Sequence, residues 1–129
     1  MDISTFLMFE GRAEEAMNFY VSVFDDAEIV SINRYDKGQG GPEGTVMNAV
    51  FKLAGGEYMC IDSPAKHGFT FTPAMSLFVQ CDSEQQAEEL FTKLSDSGAV
   101  MMPLGTYPFA KKFGWVEDKF GISWQLSFN

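Results

Sequence analysis

Imidazole is almost missing from this chain: His67 is the one histidine among 129 residues. Cysteine is scarce as well, with only Cys60 and Cys81. These residues show none of the short paired spacings of a structural metal site. Both thiols lie in apolar, strand-like surroundings and read as free buried cysteines of a reducing compartment, not as a disulfide. Cations are also few, nine Lys and Arg against eighteen Asp and Glu, for a formal net charge of −9. Only Lys111 and Lys112 are adjacent, so no basic cluster could replace the counterions of a phosphate backbone, which excludes a nucleic-acid partner. The acidic balance otherwise bears on solubility and self-repulsion. No apolar run approaches the length of a membrane span, and no basic region precedes the short apolar run near the N-terminus. The expectation is a cytoplasmic protein with no membrane partner.

What the chain does have is apolar and aromatic bulk. Hydrophobic residues make up 46% of it, with thirteen phenylalanines and eight methionines. That suits one compact domain over residues 1–129, being short for two independent cores. Phenylalanine and methionine fill ordinary cores, and they also suit an irregular pocket or a subunit interface.

Along the chain, Ile3 to Phe9 reads as a strand that stops at Gly11. Ala13, Ala16, Met17, Tyr20 and Phe24 then recur at helical spacing, with Glu14 and Glu15 in the first turn, where the helix dipole favours negative charge. Ala27 to Tyr35 reads as a strand, and DKGQGGPEG after it as a flexible loop. Thr45 to Leu53 and Glu57 to Asp62 form a hairpin through AGG. Residues 64–74, with two prolines and a glycine, make a connector. Strand signals resume at Met75 to Cys81. Ser83 with Gln86 three residues later makes a capping box, and Ala87, Leu90, Phe91 and Leu94 form an apolar stripe ending before Gly98. Strands follow at Ala99 to Leu104, Phe113 to Glu117 and Ile122 to Phe128.

The order strand, helix, three strands therefore occurs twice, over about 1–63 and 75–129. AEEAMNFY at 13–20 answers AEELFTKL at 87–94, and FKLAGGEYMCI answers WVEDKFGISWQL. One helix cannot cover both faces of a small sheet, so the expected fold is α+β, with two βαβββ modules combined into a curved mixed sheet, helices outside and a cleft within.

FEGRAEEAMNFYVSVFDDAEI, SLFVQCDSEQQAEELFTKLSDSGAVMMPLG and FGWVEDKFGISWQL together resemble the vicinal oxygen chelate superfamily of glyoxalase I, bleomycin resistance proteins and extradiol dioxygenases. Within it the chain is most similar to the PhnB-like proteins, often labelled 3-demethylubiquinone-9 3-methyltransferase. The resemblance implies paired βαβββ modules and usually a homodimer. Metal-using members hold a divalent ion with His, Glu or Gln side chains from an early and a late strand of each module. Carried over, those positions are Thr5 (or Ser4), Cys60, Met75 (or Ser76) and Gln125, of which only Gln125 is a ligand type the superfamily uses. The resemblance with these departures implies no metal and no cofactor. A methyltransferase's glycine-rich turn between strand and helix is absent too, since GQGGPEG leads into a strand.

The leading expectation is metal-free binding of a small, partly apolar molecule, with Thr5, Cys60, Asp62, Met75, Ser76, Trp115 and Gln125 as candidate ligand-binding residues. A metal-dependent lyase or dioxygenase-like enzyme drawing ligands from Asp62 or His67 is one alternative, and a dimeric interaction module with a filled cleft is another. Asp62 and His67 are five residues apart, an acid/base pair on one reading. On the other, favoured here, Asp62 caps the Ser63-Pro64 turn and His67 is an exposed loop residue. Trp124 and Gln125 alternate, so they point to opposite faces of their strand. With Gln125 in the cleft, Trp124 packs under a helix and Trp115 becomes the pocket tryptophan.

Overall fold

The β-rich run near the N-terminus forms strand β1 (Thr5–Phe9) in the computed structural model, which describes residues 1–129. Those residues divide into two units, Met1–Gly68 and Phe69–Asn129. No helix in either is long and apolar enough to cross a membrane.

In the first unit, β1 is followed by helix α1 (Ala13–Val23), then β2 (Ala27–Arg34), β3 (Val46–Leu53) and β4 (Gly56–Asp62). The sheet order is β1-β4-β3-β2, with β1 parallel to β4 and the other neighbours antiparallel. Helical spacing brings Ala13, Ala16, Met17, Tyr20 and Val23 onto one buried stripe. That stripe lies on β2, β3 and β4. Tyr20 stacks on Phe51 with ring centroids 6.2 Å apart, and Phe51 stacks on Tyr58 at 5.4 Å.

The β3–β4 hairpin closes through Ala54 and Gly55, both at positive φ, +48° and +86°. Two successive left-handed residues define a type I′ turn, where the first position favours asparagine or glycine over alanine. Ala54→Asn should therefore stabilise the chain by about 0.5–1 kcal/mol, read as a melting temperature raised by ~2–5 °C. An unchanged or lower melting temperature would contradict this account of the turn.

The second unit repeats the plan with β5 (Ser76–Gln80), helix α2 (Glu84–Ser95), β6 (Ala99–Tyr107), β7 (Ala110–Glu117) and β8 (Ser123–Phe128). Its order is β5-β8-β7-β6, again with the first and last strands parallel. Both units are thus four-stranded mixed sheets with one helix each, the two βαβββ modules read from the sequence. The β6–β7 hairpin runs longer than the predicted Leu104 and Phe113 limits. Thr106 Oγ1 donates to the Lys111 carbonyl at 3.0 Å and Tyr107 Oη to that of Pro103 at 2.7 Å. Tyr107, Phe109 and Phe113 form an aromatic cluster with centroids 4.9–5.7 Å apart, and these contacts hold the extra length.

The two helices satisfy their N-terminal amides in different ways. In α2 the capping box is as read: the Gln86 amide donates to Ser83 Oγ at 3.0 Å, while Gln86 Oε1 reaches back to the Asp82 amide at 2.7 Å. Helix α1 starts after Arg12 with no side-chain cap of its own. Instead Asp62, at the far end of β4, accepts from the amides of Gly11 and Ala13 at 2.8 and 2.9 Å through Oδ1. Its Oδ2 accepts from the Val46 amide at 2.9 Å.

A second buried carboxylate organises the β7–β8 turn. Asp118 Oδ1 accepts from the amides of Phe120 and Ile122 at 2.8 and 3.1 Å, and Oδ2 accepts from the Trp124 indole N–H at 2.9 Å.

Candidate functional site

Strand register decides which predicted site residues share a face. On β8, Trp124 and Leu126 are buried and alternate with Ser123, Gln125 and Ser127. Gly114 pairs with Leu126 and sits so tightly under α2 that an added Cβ would lie 2.6 Å from the Phe91 ring. Trp124, Leu126 and Gly114 therefore face α2, whereas Ser123, Gln125 and their partners on adjacent strands face away from it. Trp124 packs on the helix side, as the alternation with Gln125 requires.

The face away from α2 carries a connected polar group. Trp115 Nε1 donates to Ser123 Oγ at 2.7 Å, Ser123 Oγ and Ser76 Oγ lie 2.6 Å apart, and Gln125 Nε2 donates to Ser76 Oγ at 3.2 Å. Ser123 is 1% exposed, while Ser76, Trp115 and Gln125 are half-buried. Phe78, Gln125 and Trp115 stand in register on three neighbouring strands, with Phe78 54% exposed. Their Cα atoms thus span two strand spacings, about 9–10 Å, with Gln125 on the strand between the two aromatic residues. Of the predicted site residues, the structure brings Ser76, Trp115 and Gln125 together on this face.

Thr5 and Cys60 do not share that geometry in their own unit. Phe51 packs on α1 through Tyr20, Tyr58 pairs with Phe51, and Cys60 follows Tyr58 by two residues, so Cys60 faces α1. Thr5 pairs with Tyr58 and Leu7 with Cys60, which turns Thr5 to the same side. By topology the counterparts of Phe78 and Gln125 are Phe6 and Met59, which pair with each other. The placement of Thr5 and Cys60 beside Gln125-type positions is thus corrected by one residue of strand parity. Met75 lies just before β5 and is 79% exposed, and Ser76 takes the position facing the network.

Cys60 is fully buried, and its thiol is pushed up to about 12, first by burial and then by the nearby Asp62 charge. A thiol held so far from ionisation is a poor nucleophile and a poor ligand. Burial also raises Cys81 and Tyr58. Because the folded chain keeps the Cys60 proton where the unfolded chain, with its ordinary value of 9.0, releases it, stability is intact below pH 9 and falls as pH rises toward about 12. The slope due to this one group approaches about 1.4 kcal/mol per pH unit within that window. Thermal melts across it should show the decline, and Cys60→Ala or Cys60→Val should flatten it.

Asp62 is 3% exposed, and its carboxylate is given over to backbone amides. It lines a recess of about 170 Å³ together with Glu10, Thr45, Ser63 and Lys66. Neither the turn cap nor the pair with His67 describes it: His67 Nε2 lies 2.8 Å from Ser63 Oγ instead, and His67 is half-buried. No group of three His, Cys, Asp or Glu side chains comes together in a way that could hold a metal ion. On the face away from α2, an amide, two hydroxyls and an indole N–H donor do not fit a divalent ion either.

Sequence reasoning missed Ser123, the hydroxyl that joins Trp115 to Ser76. The alternation of Ser123, Gln125 and Ser127 with Trp124, Leu126 and Phe128 contained that signal.

A family model described as 3-demethylubiquinone-9 3-methyltransferase matches residues 1–127. Among solved structures, the chain is similar to the PhnB protein from Bacillus cereus, at 61% identity and a TM-score of 0.96 with 100% of both chains covered. The glyoxylase/bleomycin resistance protein/dioxygenase domain from Frankia sp. EAN1pec shares the fold alone, at 15% identity and a TM-score of 0.69 over 100% of this chain and 97% of that one. Protein YjdN of Escherichia coli strain K12 is 22% identical over 141 residues, which cover 98% of this chain and 95% of that protein.

Proposed function

This chain belongs to the 3-demethylubiquinone-9 3-methyltransferase family, with a PhnB protein among its relatives, and from that premise we propose that it binds a small, partly apolar molecule without a metal ion. The observation that carries the reading is the Trp115–Ser123–Ser76–Gln125 network flanked by Phe78. It has the make-up of a small-molecule site: aromatic surface beside a few polar groups held in place by one another. Gln125 supplies the polar contact, Ser76 its support, and Trp115 and Phe78 the apolar walls. The protein works as a cytoplasmic homodimer in this reading.

Direct methyl transfer is no part of it. The glycines of residues 38–44 lie between β2 and β3, so no helix N-terminus follows them to receive a cofactor. The sheets are mixed and largely antiparallel, without the run of parallel strands whose carboxyl ends receive a nucleotide.

Metal analysis of protein purified without chelator tests the reading. Metal well below one equivalent is the expected result. One equivalent of zinc, nickel or manganese that Gln125→Ala removes would overturn it.

A further inference from the structure

The protons of the network specify what is left for a ligand. Ser123 Oγ accepts from Trp115 Nε1 and is buried, with Ser76 Oγ as its one other hydrogen-bond partner. A buried hydroxyl must place its own proton on an acceptor, so Ser123 donates to Ser76. Ser76 then accepts twice, from Ser123 and from Gln125 Nε2, which uses both lone pairs and leaves its O–H to donate elsewhere. Gln125 Oε1 has no protein donor and remains an acceptor. The site therefore offers one fixed donor next to one fixed acceptor, between Phe78 and Trp115.

From this, and resting on the ligand-binding reading above, we infer that the ligand is a neutral primary carboxamide or lactam attached to a flat apolar body. Its carbonyl accepts from Ser76 Oγ–H and its N–H donates to Gln125 Oε1. A ketone offers the first contact without the second. A carboxylate offers acceptors only and sets a negative oxygen against Gln125 Oε1. Glu117, in register with Ser123 on the same face, and the chain's net charge of −9 disfavour an anion further.

The two tryptophans make the test direct, because ¹⁵N-labelled protein shows one indole N–H resonance from the network and one from Trp124, which is bonded to Asp118. Titration of the full chain with benzamide should move the Trp115 resonance and leave that of Trp124 in place. Benzamide should bind about tenfold tighter than acetophenone or benzoate, the scale of one hydrogen bond in a half-exposed site. Ser76→Ala and Gln125→Met should each erase that preference while keeping the Trp124 resonance as a marker of the fold. Equal affinity for benzamide and acetophenone, or for benzamide and benzoate, in the wild-type chain overturns the carboxamide inference and leaves the ligand-binding reading standing. A Trp115 resonance silent to all three compounds overturns both.

Discussion

Alanine at position 62 should lower the unfolding free energy by about 3–4 kcal/mol, the scale expected when a buried carboxylate bonded to several amides is removed. Three backbone N–H groups lose their acceptor together, those of Gly11, Ala13 and Val46. Asp62→Asn keeps Oδ1 for the first two but turns an N–H toward the third, so it should cost roughly half as much. Urea unfolding monitored by tryptophan fluorescence would show the midpoint falling in that order. A loss below about 1 kcal/mol for Asp62→Ala would mean that water replaces the carboxylate at all three amides.

Gly98→Ala should be similarly damaging, for a steric reason. The added Cβ would sit far inside van der Waals contact distance of the Glu117 carbonyl oxygen, and 3.0 and 3.1 Å from the carbonyl carbon and Cα of Asp118. Backbone cannot step aside as a flexible side chain can, and here it belongs to the strand end that leads into the Asp118 turn. The cost should reach about 3 kcal/mol, at the upper end for overpacking, with near-ultraviolet circular dichroism of Trp124 reporting the disturbed turn. Gly114→Ala is the informative comparison. The atoms nearest its Cβ belong to the side chains of Phe91 and Leu104, so a loss of about 1–2 kcal/mol is expected there.

Much of the architecture was legible because its signals are local. The spacing of Ala13, Met17 and Tyr20 marks one buried stripe, and Ser83 with Gln86 marks a helix start, each within a few residues. The opposed placement of Trp124 and Gln125 follows from period-two alternation alone. Two features were hidden for physical reasons. The role of Asp62 depends on amides 49 and 51 residues away, and nothing next to it in the chain points to them. The facing of Thr5 and Cys60 depends on strand parity, where an offset of one residue exchanges the two sides of a sheet. Distance from a motif is too coarse a ruler for that, and it selected Cys60 where the topology places Met59.

The unlike capping of the two helices has a kinetic consequence. Helix α2 carries its cap in its own first turn, so it can nucleate before any strand pairs. Helix α1 is complete only when β4 arrives and delivers Asp62, after a loop of about fifty residues has closed. In the first unit α1 therefore frays until its last strand docks, whereas α2 does not wait for β8, although β5 and β8 close a loop of similar length. A nascent chain emerging from the ribosome would hold α1 unfinished until residue 62 is free to reach back.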